Sequence, residues 1–193
     1  ANGSGITGLG SDTAVGVTER GDGLDGWQHA FIDGTFEPIP GIAPGAVNSS
    51  GLAVGTCAGH PCAYEHGTIH LLATDPDPRA NVTPLAVSDN GEIVGVVLLA
   101  DAHTQEAVRW ANVDAPLERI SGLSGMAGAT SNTATDVTTS GAIVGATTVP
   151  GAALGWMQLA DGTVVELPTI PGYPYLLPQA ANDVASTLRD TPV

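Results

Sequence analysis

The feature that most constrains this chain is a ten-residue phrase that recurs: AVNSSGLAVG at 46–55, AVSDNGEIVG at 86–95 and DVTTSGAIVG at 136–145. A looser copy, ITGLGSDTAVG, closes at Gly16. The Val-Gly pairs that end these phrases fall at 15–16, 54–55, 94–95 and 144–145, with spacings of 39, 40 and 50 residues. A period of this size marks one supersecondary unit per repeat, which cannot bury its apolar face alone and stacks on its neighbours. Each copy continues into a second pair of apolar runs: WQHAFIDGTFEPIPG at 27–41, CAYEHGTIHLL at 62–72, AVRWANVDAPLERISG at 107–122 and LGWMQLADGTVVELPTIPG at 154–172. Within them an alternating strand leads through DGT or HGT, whose glycine permits a tight hairpin, into another alternating strand. Each unit therefore reads as four short strands, a to d, which in the second unit run near 45–48, 52–57, 61–66 and 68–73.

Four strands per 40–50 residues is the size of a propeller blade, whereas leucine-rich repeats are shorter and helical repeats have the wrong periodicity. The expected fold is an all-β, β-propeller array of about four four-stranded repeats in one domain of 193 residues, with units near 1–42, 43–85, 86–134 and 135–179. A half unit, AANDVASTLRDTPV at 180–193, aligns with strands a and b but lacks the glycines. It can close the ring on the first unit, or complete a neighbouring molecule by strand donation. Closure hides edge strands and is the expectation. The units also resemble the HAF repeat of extracellular bacterial proteins, an Ile-Asn-x-x-Gly-x-Val-Val-Gly stretch, an Ala-Phe-x-Trp strand and a Leu-Gly-x-Leu-x-Gly close, through IVG, HAF at 29–31 and ELPTIPG. Unit four departs with LGWMQL in place of Ala-Phe-x-Trp, and unit three lacks the glycine turn between strands c and d. The resemblance implies an extracellular propeller-like array and no particular reaction.

Composition narrows the partners. Twenty acidic residues face five arginines (Arg20, Arg79, Arg109, Arg119 and Arg189) and no lysine, for a net charge of −15. Such a surface repels phosphate backbones and anionic bilayers, so nucleic acid is not an expected partner. Hydrophobic residues at 42% with 26 Gly and 14 Pro are too apolar for disorder and too rich in turn formers for long helices. Cys57 and Cys62, in CAGHPC, can close as a local disulfide, and His60 between them permits a weaker metal reading. A disulfide implies an oxidising compartment. No apolar run reaches the length of a membrane span and no signal peptide is visible, so the chain reads as a mature secreted product. Asn2, Asn48 and Asn81 stand in glycosylation sequons.

Strand direction then decides which connections share an end. Antiparallel strands place the a-to-b and c-to-d turns at one end and the b-to-c and d-to-a connections at the other. The first set is short and uniform (NSSG, SDNG, TTSG, DGT, HGT), the second long and different in every unit. Binding residues concentrate on variable loops over a rigid scaffold, so the second end is the expected binding face. It carries Asp22, Asp25, His60, Asp75, Asp77, Arg79, Asp101, His103, Gln105, Glu106, Tyr173 and Tyr175. Clustered carboxylates suit calcium, although neither DGLDG nor DPDP matches the twelve-residue calcium loop. Tyr173 and Tyr175 can form a stacking platform for a sugar ring. His103 with Asp101 and Glu106 can act as an acid–base set, but three polar residues in one solvated loop is the commoner meaning.

Other catalytic signatures are missing. There is no G-x-S-x-G elbow and no H-E-x-x-H pair, and GDGLDG at 21–26 lacks the helix a dinucleotide fingerprint requires. Trp27, Trp110 and Trp156 recur at matching places in strand c, which predicts packing between blades. Gly55, Gly95 and Gly145 are predicted to stand where a neighbour approaches too closely for a Cβ. The expected function is a secreted, non-enzymatic binding module for a glycan or another cell-surface ligand. The alternatives are an extracellular carboxylate- or calcium-dependent hydrolase or lyase, and a structural protein assembling through residues 180–193. Fold alone does not choose among them.

Overall fold

The structure is a computed structural model that describes every residue except 1–3, 10–12, 21–22, 31–33, 102, 170–174, 176 and 180–193. All sixteen elements among the described residues are strands. The first four-stranded antiparallel sheet contains β1 (Ser4–Leu9), β2 (Thr13–Arg20), β3 (Gly23–Ala30) and β4 (Phe36–Ile39), in that order. The second contains β5 (Ala43–Val47), β6 (Ala53–Cys57), β7 (His60–Glu65) and β8 (Thr68–Leu71), within a residue or two of the boundaries read from alternation. The third runs β9 (Asn81–Val87), β10 (Ile93–Leu98), β11 (Gln105–Trp110) and β12 (Glu118–Ile120). The fourth comprises β13 (Ser131–Val137), β14 (Ile143–Val149), β15 (Ala152–Gln158) and β16 (Val164–Glu166). One parallel bridge, Gln105 with Ser131, connects the third sheet to the fourth.

The recurrent Val-Gly pair has a structural cause. In every unit the inner strand a carries a bulge opposite it: the register slips between Ile6 and Gly8, between Pro44 and Ala46, between Pro84 and Ala86, and between Ala134 and Asp136. The residue paired with the near side of each slip is Gly16, Gly55, Gly95 or Gly145. A bulge inserts an extra residue and pushes backbone toward the partner strand. A Cβ built on these glycines would lie 2.1–2.3 Å from the carbonyl oxygen of Gly5, Ala43, Thr83 or Thr133 respectively. No side chain larger than hydrogen fits there.

Packing runs between consecutive sheets. Val15 and Ile39 of the first sheet meet Val47, Ala53, Cys62 and Tyr64 of the second. Leu52, Val54, Ala63 and Leu72 meet Val82, Ile93, Val108 and Trp110 of the third, and Ala86, Val94 and Ile120 meet Ala134, Ile143 and Trp156 of the fourth. The three tryptophans do not share one station. Trp27 and Trp156 pair with Gly16 and Gly145 and lie against them, whereas Trp110 pairs with Ile93, two residues farther along its strand. Trp110 fills the core between the second and third sheets and donates its indole N–H to the Ala73 carbonyl at 2.9 Å.

The tight a-to-b turns line up at one end of the row. Asn48 donates to the Ser88 carbonyl at 2.9 Å, the Ser49 amide donates to Asp89 at 2.8 Å, and Asn90 donates to the Thr139 carbonyl. Sheet-to-sheet packing follows β2 to β5, β6 to β9 and β10 to β13, with no comparable packing between the first and fourth sheets among the described residues. The four blade-like sheets thus form an open row in place of the expected closed ring. Residues 180–193, expected to close it, lie outside the described residues.

Candidate binding clefts at the long-loop end

Two clefts open at the end opposite the aligned turns, and both join a b-to-c connection to the d-to-a connection beside it. One, of about 400 Å³, is built from Thr104–Glu106, the end of β12 through Ser121, and the stretch Ser124 to Asn132. The other, of about 530 Å³, lies between the Gly59–Pro61 turn and the connection from Thr74 to Val82. The geometry matches the expectation that these connections gather at one end. It corrects their lengths. In the second unit the connection is a two-residue turn with positive φ at Ala58 (49°) and Gly59 (85°), because β6 and β7 continue pairing to Cys57–His60. In the fourth unit Val149 pairs with Ala152, leaving only Pro150 and Gly151 to turn. The long connection at the opposite end is 111–117 in the third unit, where the glycine turn is missing.

An ion-pair chain joins the two clefts. Asp75 is buried, with its side chain 5% exposed; it accepts the Asp77 amide at 2.9 Å and an Nη donor of Arg119. The other Nη of Arg119 pairs with Glu106. Arg119 lies on β12, Glu106 on β11, and Asp75 on the loop from the second sheet, so the guanidinium ties the third sheet to its neighbour's loop. A buried carboxylate costs several kcal/mol of lost hydration unless charge and hydrogen bonds replace it, and Arg119 together with the Asp77 amide supplies both. The floor of the smaller cleft is Asn132, which is buried, donates to the carbonyls of Ile120 (2.8 Å) and Ser121 (3.1 Å) and accepts from Thr147 at 3.1 Å. Gln105 on its wall accepts from Ser131 at 2.8 Å.

The remaining predicted residues sort as follows. Asp77 accepts from the Arg79 amide and guanidinium at 2.9–3.1 Å, and that hydrogen bonding holds its carboxyl below the usual range and the Arg79 guanidinium above it. Asp101 is a turn residue: it accepts the amides of His103 (2.9 Å) and Thr104 (2.8 Å) and the Thr104 hydroxyl (2.6 Å), which lowers its pKa to about 2. The acid–base set is therefore not assembled, because Asp101 binds the His103 backbone amide and Glu106 is committed to Arg119. Asp25 lies within β3, paired with Thr18, and not on a loop. His60 opens β7 on the rim of the larger cleft. Tyr175 forms a parallel bridge with Ala153 and is 63% exposed. Asp22 and Tyr173 lie outside the described residues. The Cys57–Cys62 disulfide is formed, with Cα atoms 5.9 Å apart across the β6–β7 hairpin.

Sequence reasoning missed Arg119, Ser124, Ser131 and Asn132. Arg119 carried a signal nevertheless, since with five bases among twenty acids a buried Asp must compete for a guanidinium. Arg79, Arg109 and Arg119 are each paired with carboxylates, Arg109 with Glu92 and Glu118. Among the described residues, neither cleft therefore offers an uncommitted arginine. No group of three His, Cys, Asp or Glu is arranged to hold a metal ion among the described residues.

The chain matches no known protein family and no curated protein. Its fold is similar to the crystal structure of TolB from Acinetobacter baumannii, a β-propeller protein, with a TM-score of 0.56 and 12% identity over 92% of this chain. The chain spans about half of that structure, 47% of its length. The likeness is one of fold: an all-β, propeller-like array of blades. No helix of the described residues is long and apolar enough to cross a membrane.

Proposed function

We propose that the protein is a secreted, non-enzymatic binding module, an extracellular repeat array of the HAF type, that holds a neutral, hydroxyl-rich glycan at the end carrying the two clefts. The observation that supports this most is the Asp75–Arg119–Glu106 chain, which fixes the common wall of both clefts while consuming the charges in it. What remains for a ligand is hydroxyl and amide chemistry from Ser121, Ser124, Thr130 and the Gln105 amide, in volumes of the size that accommodates one or two sugar rings. A net charge of −15 and the acidic rim disfavour anionic sugars through unscreened repulsion at short range. The disulfide is compatible with an extracellular setting. A glycan array, run beside turnover assays on the same sugars, tests the reading. Retention of neutral oligosaccharides with no product formed is expected; product release, or retention of sulfated and uronate glycans in preference to neutral ones, would overturn it.

A further inference from the structure

Each blade-like sheet ends outward on its fourth strand, and three of those edges carry the charge or proline that keeps an open edge from pairing. β4 holds Glu37 and Pro38, β12 holds Glu118 and Arg119, and β16 holds Glu166. β8, Thr68-Ile69-His70-Leu71, holds no carboxylate, lysine, arginine or proline, and its register with β7 runs without a bulge. Hydrogen-bonded and non-hydrogen-bonded pairs alternate along an antiparallel ladder. The Leu72 amide donates to the Pro61 carbonyl at 3.0 Å, so Ala63–His70 and Glu65–Thr68 are hydrogen-bonded pairs, and Cys62–Leu71 and Tyr64–Ile69 are not. The two-residue turn that Glu65–Thr68 closes, with positive φ at His66 (47°) and Gly67 (83°), has the same phase. The N–H and C=O groups of Ile69 and Leu71 therefore point away from β7, into the open edge.

The same two residues expose apolar side chains. Ile69 is 40% and Leu71 69% exposed, and both stand on the face of β8 that they share with Tyr64 and Cys62, the face turned toward the first sheet. Gly41 walls that face: a Cβ built on it would lie 3.4 Å from the Cδ1 of Ile69. The Tyr64 hydroxyl donates to Glu37, which sets a carboxylate beside the apolar pair. Backbone groups and apolar side chains thus open together at alternate residues along an acidic wall. We propose that β8 is a docking edge for an extended peptide segment of a partner protein, which adds an antiparallel strand to the second sheet. The segment sets apolar side chains at alternate positions against Ile69 and Leu71 and carries lysine or arginine at its flanks, near Glu37. A second copy of this chain is disfavoured, because each copy carries a net charge of −15 and pairing over four residues falls far short of the about 1,000 Å² of a stable interface. A surface of that charge draws a basic segment instead. Residues 68–71 line neither cleft, so the edge is separate from the glycan site proposed above.

Fluorescence anisotropy of a labelled synthetic peptide that alternates valine with threonine between terminal lysines, titrated with the full, unreduced chain, tests the assignment. Saturable binding is expected. Methylating the backbone nitrogens of the valines keeps the peptide's charge and side chains but removes the donors to β8, and is expected to weaken binding about tenfold or more. Leu71→Lys, which gives the edge the charge that the other three carry, is expected to weaken it as much while leaving the circular dichroism and the retention of neutral oligosaccharides as in the parent protein. If Leu71→Lys changes the circular dichroism, Leu71→Ser puts the same question. No saturable binding of the lysine-flanked peptide, equal binding of the methylated peptide, or equal binding by the folded Leu71 variant would each overturn the assignment. So would a dimer of the parent protein that Leu71→Lys dissociates, which would give the edge to a second copy.

Discussion

Placing a single methyl group on Gly95 probes the bulge that defines the repeat. The Cβ of Gly95→Ala would sit 2.2 Å from the Thr83 oxygen and 3.0 Å from the Thr83 carbonyl carbon and the Pro84 Cα, all of them backbone atoms. No side chain can rotate aside, so β9 must move by more than an ångström, against the pairs it makes with β10 from Asn81 to Val87. Overpacking of a rigid site costs about 1–3 kcal/mol, and an all-backbone clash belongs at the upper end. The loss of chain entropy in the unfolded state on replacing glycine returns about 0.4–1 kcal/mol, leaving a net destabilisation of about 2 kcal/mol. For a chain of this length that corresponds to a Tm roughly 4–8 °C lower. Gly45→Ala is the matched control: Gly45 is the bulged residue of β5, but its Cβ contacts are 3.9 Å, so only the entropy gain remains. Thermal unfolding followed by circular dichroism compares the two. Equal melting temperatures for Gly95→Ala and the parent protein would refute the claim that glycine is required by backbone proximity.

Three further outcomes follow from the same geometry. Asn48→Ala removes the acceptor of the Ser50 and Leu52 amides and the donor to Ser88 at a buried site, so about 2 kcal/mol of stability should be lost in urea unfolding, with ligand binding unchanged. Reduction of Cys57–Cys62, or the paired change to serine, should cost about 2 kcal/mol for so short a loop, and thiol labelling of the unreduced, denatured protein should find no reactive cysteine. Acid titration should separate two carboxylates. Desolvation raises Glu92 above its ordinary value, so the folded state binds that proton more tightly and stability is gained as pH falls through the raised value, a gain Glu92→Gln abolishes. Asp101, at about 2, contributes stability above pH 4 that is lost as pH falls from about 4 to about 2, and Asp101→Asn flattens that limb of the urea-midpoint profile.

The repeat made the strands legible because a period-2 pattern bounded by Gly turns is a local signal, and the second unit fell within a residue or two of the alternation. The Val-Gly glycines were legible for the same reason: one geometric demand, written four times. Connection lengths were not. His60 reads as loop, yet it continues the β6–β7 ladder opposite Cys57, since a strand near its hairpin end tolerates a polar side chain on the exposed face. The candidate clefts were half visible. Their end of the array and their acids followed from topology, whereas Arg119 sits on a strand three residues long and joins Asp75, 44 positions earlier, a contact fixed by how one blade stacks on the next. The shift of Trp110 by two residues was hidden because the bare recurrence of tryptophan does not report register.

Amide chemical shifts of the isotope-labelled protein, titrated with a neutral oligosaccharide retained on the array, report whether the clefts hold the sugar. Perturbations are expected at Thr104–Glu106, Arg119–Ser121, Thr130–Asn132 and the rim formed by His60 and Asp75–Asn81, with the turns at 48–51, 88–91 and 138–141 unmoved. Perturbations concentrated in those turns, or no perturbation of the cleft residues at saturating sugar, would contradict binding in the clefts.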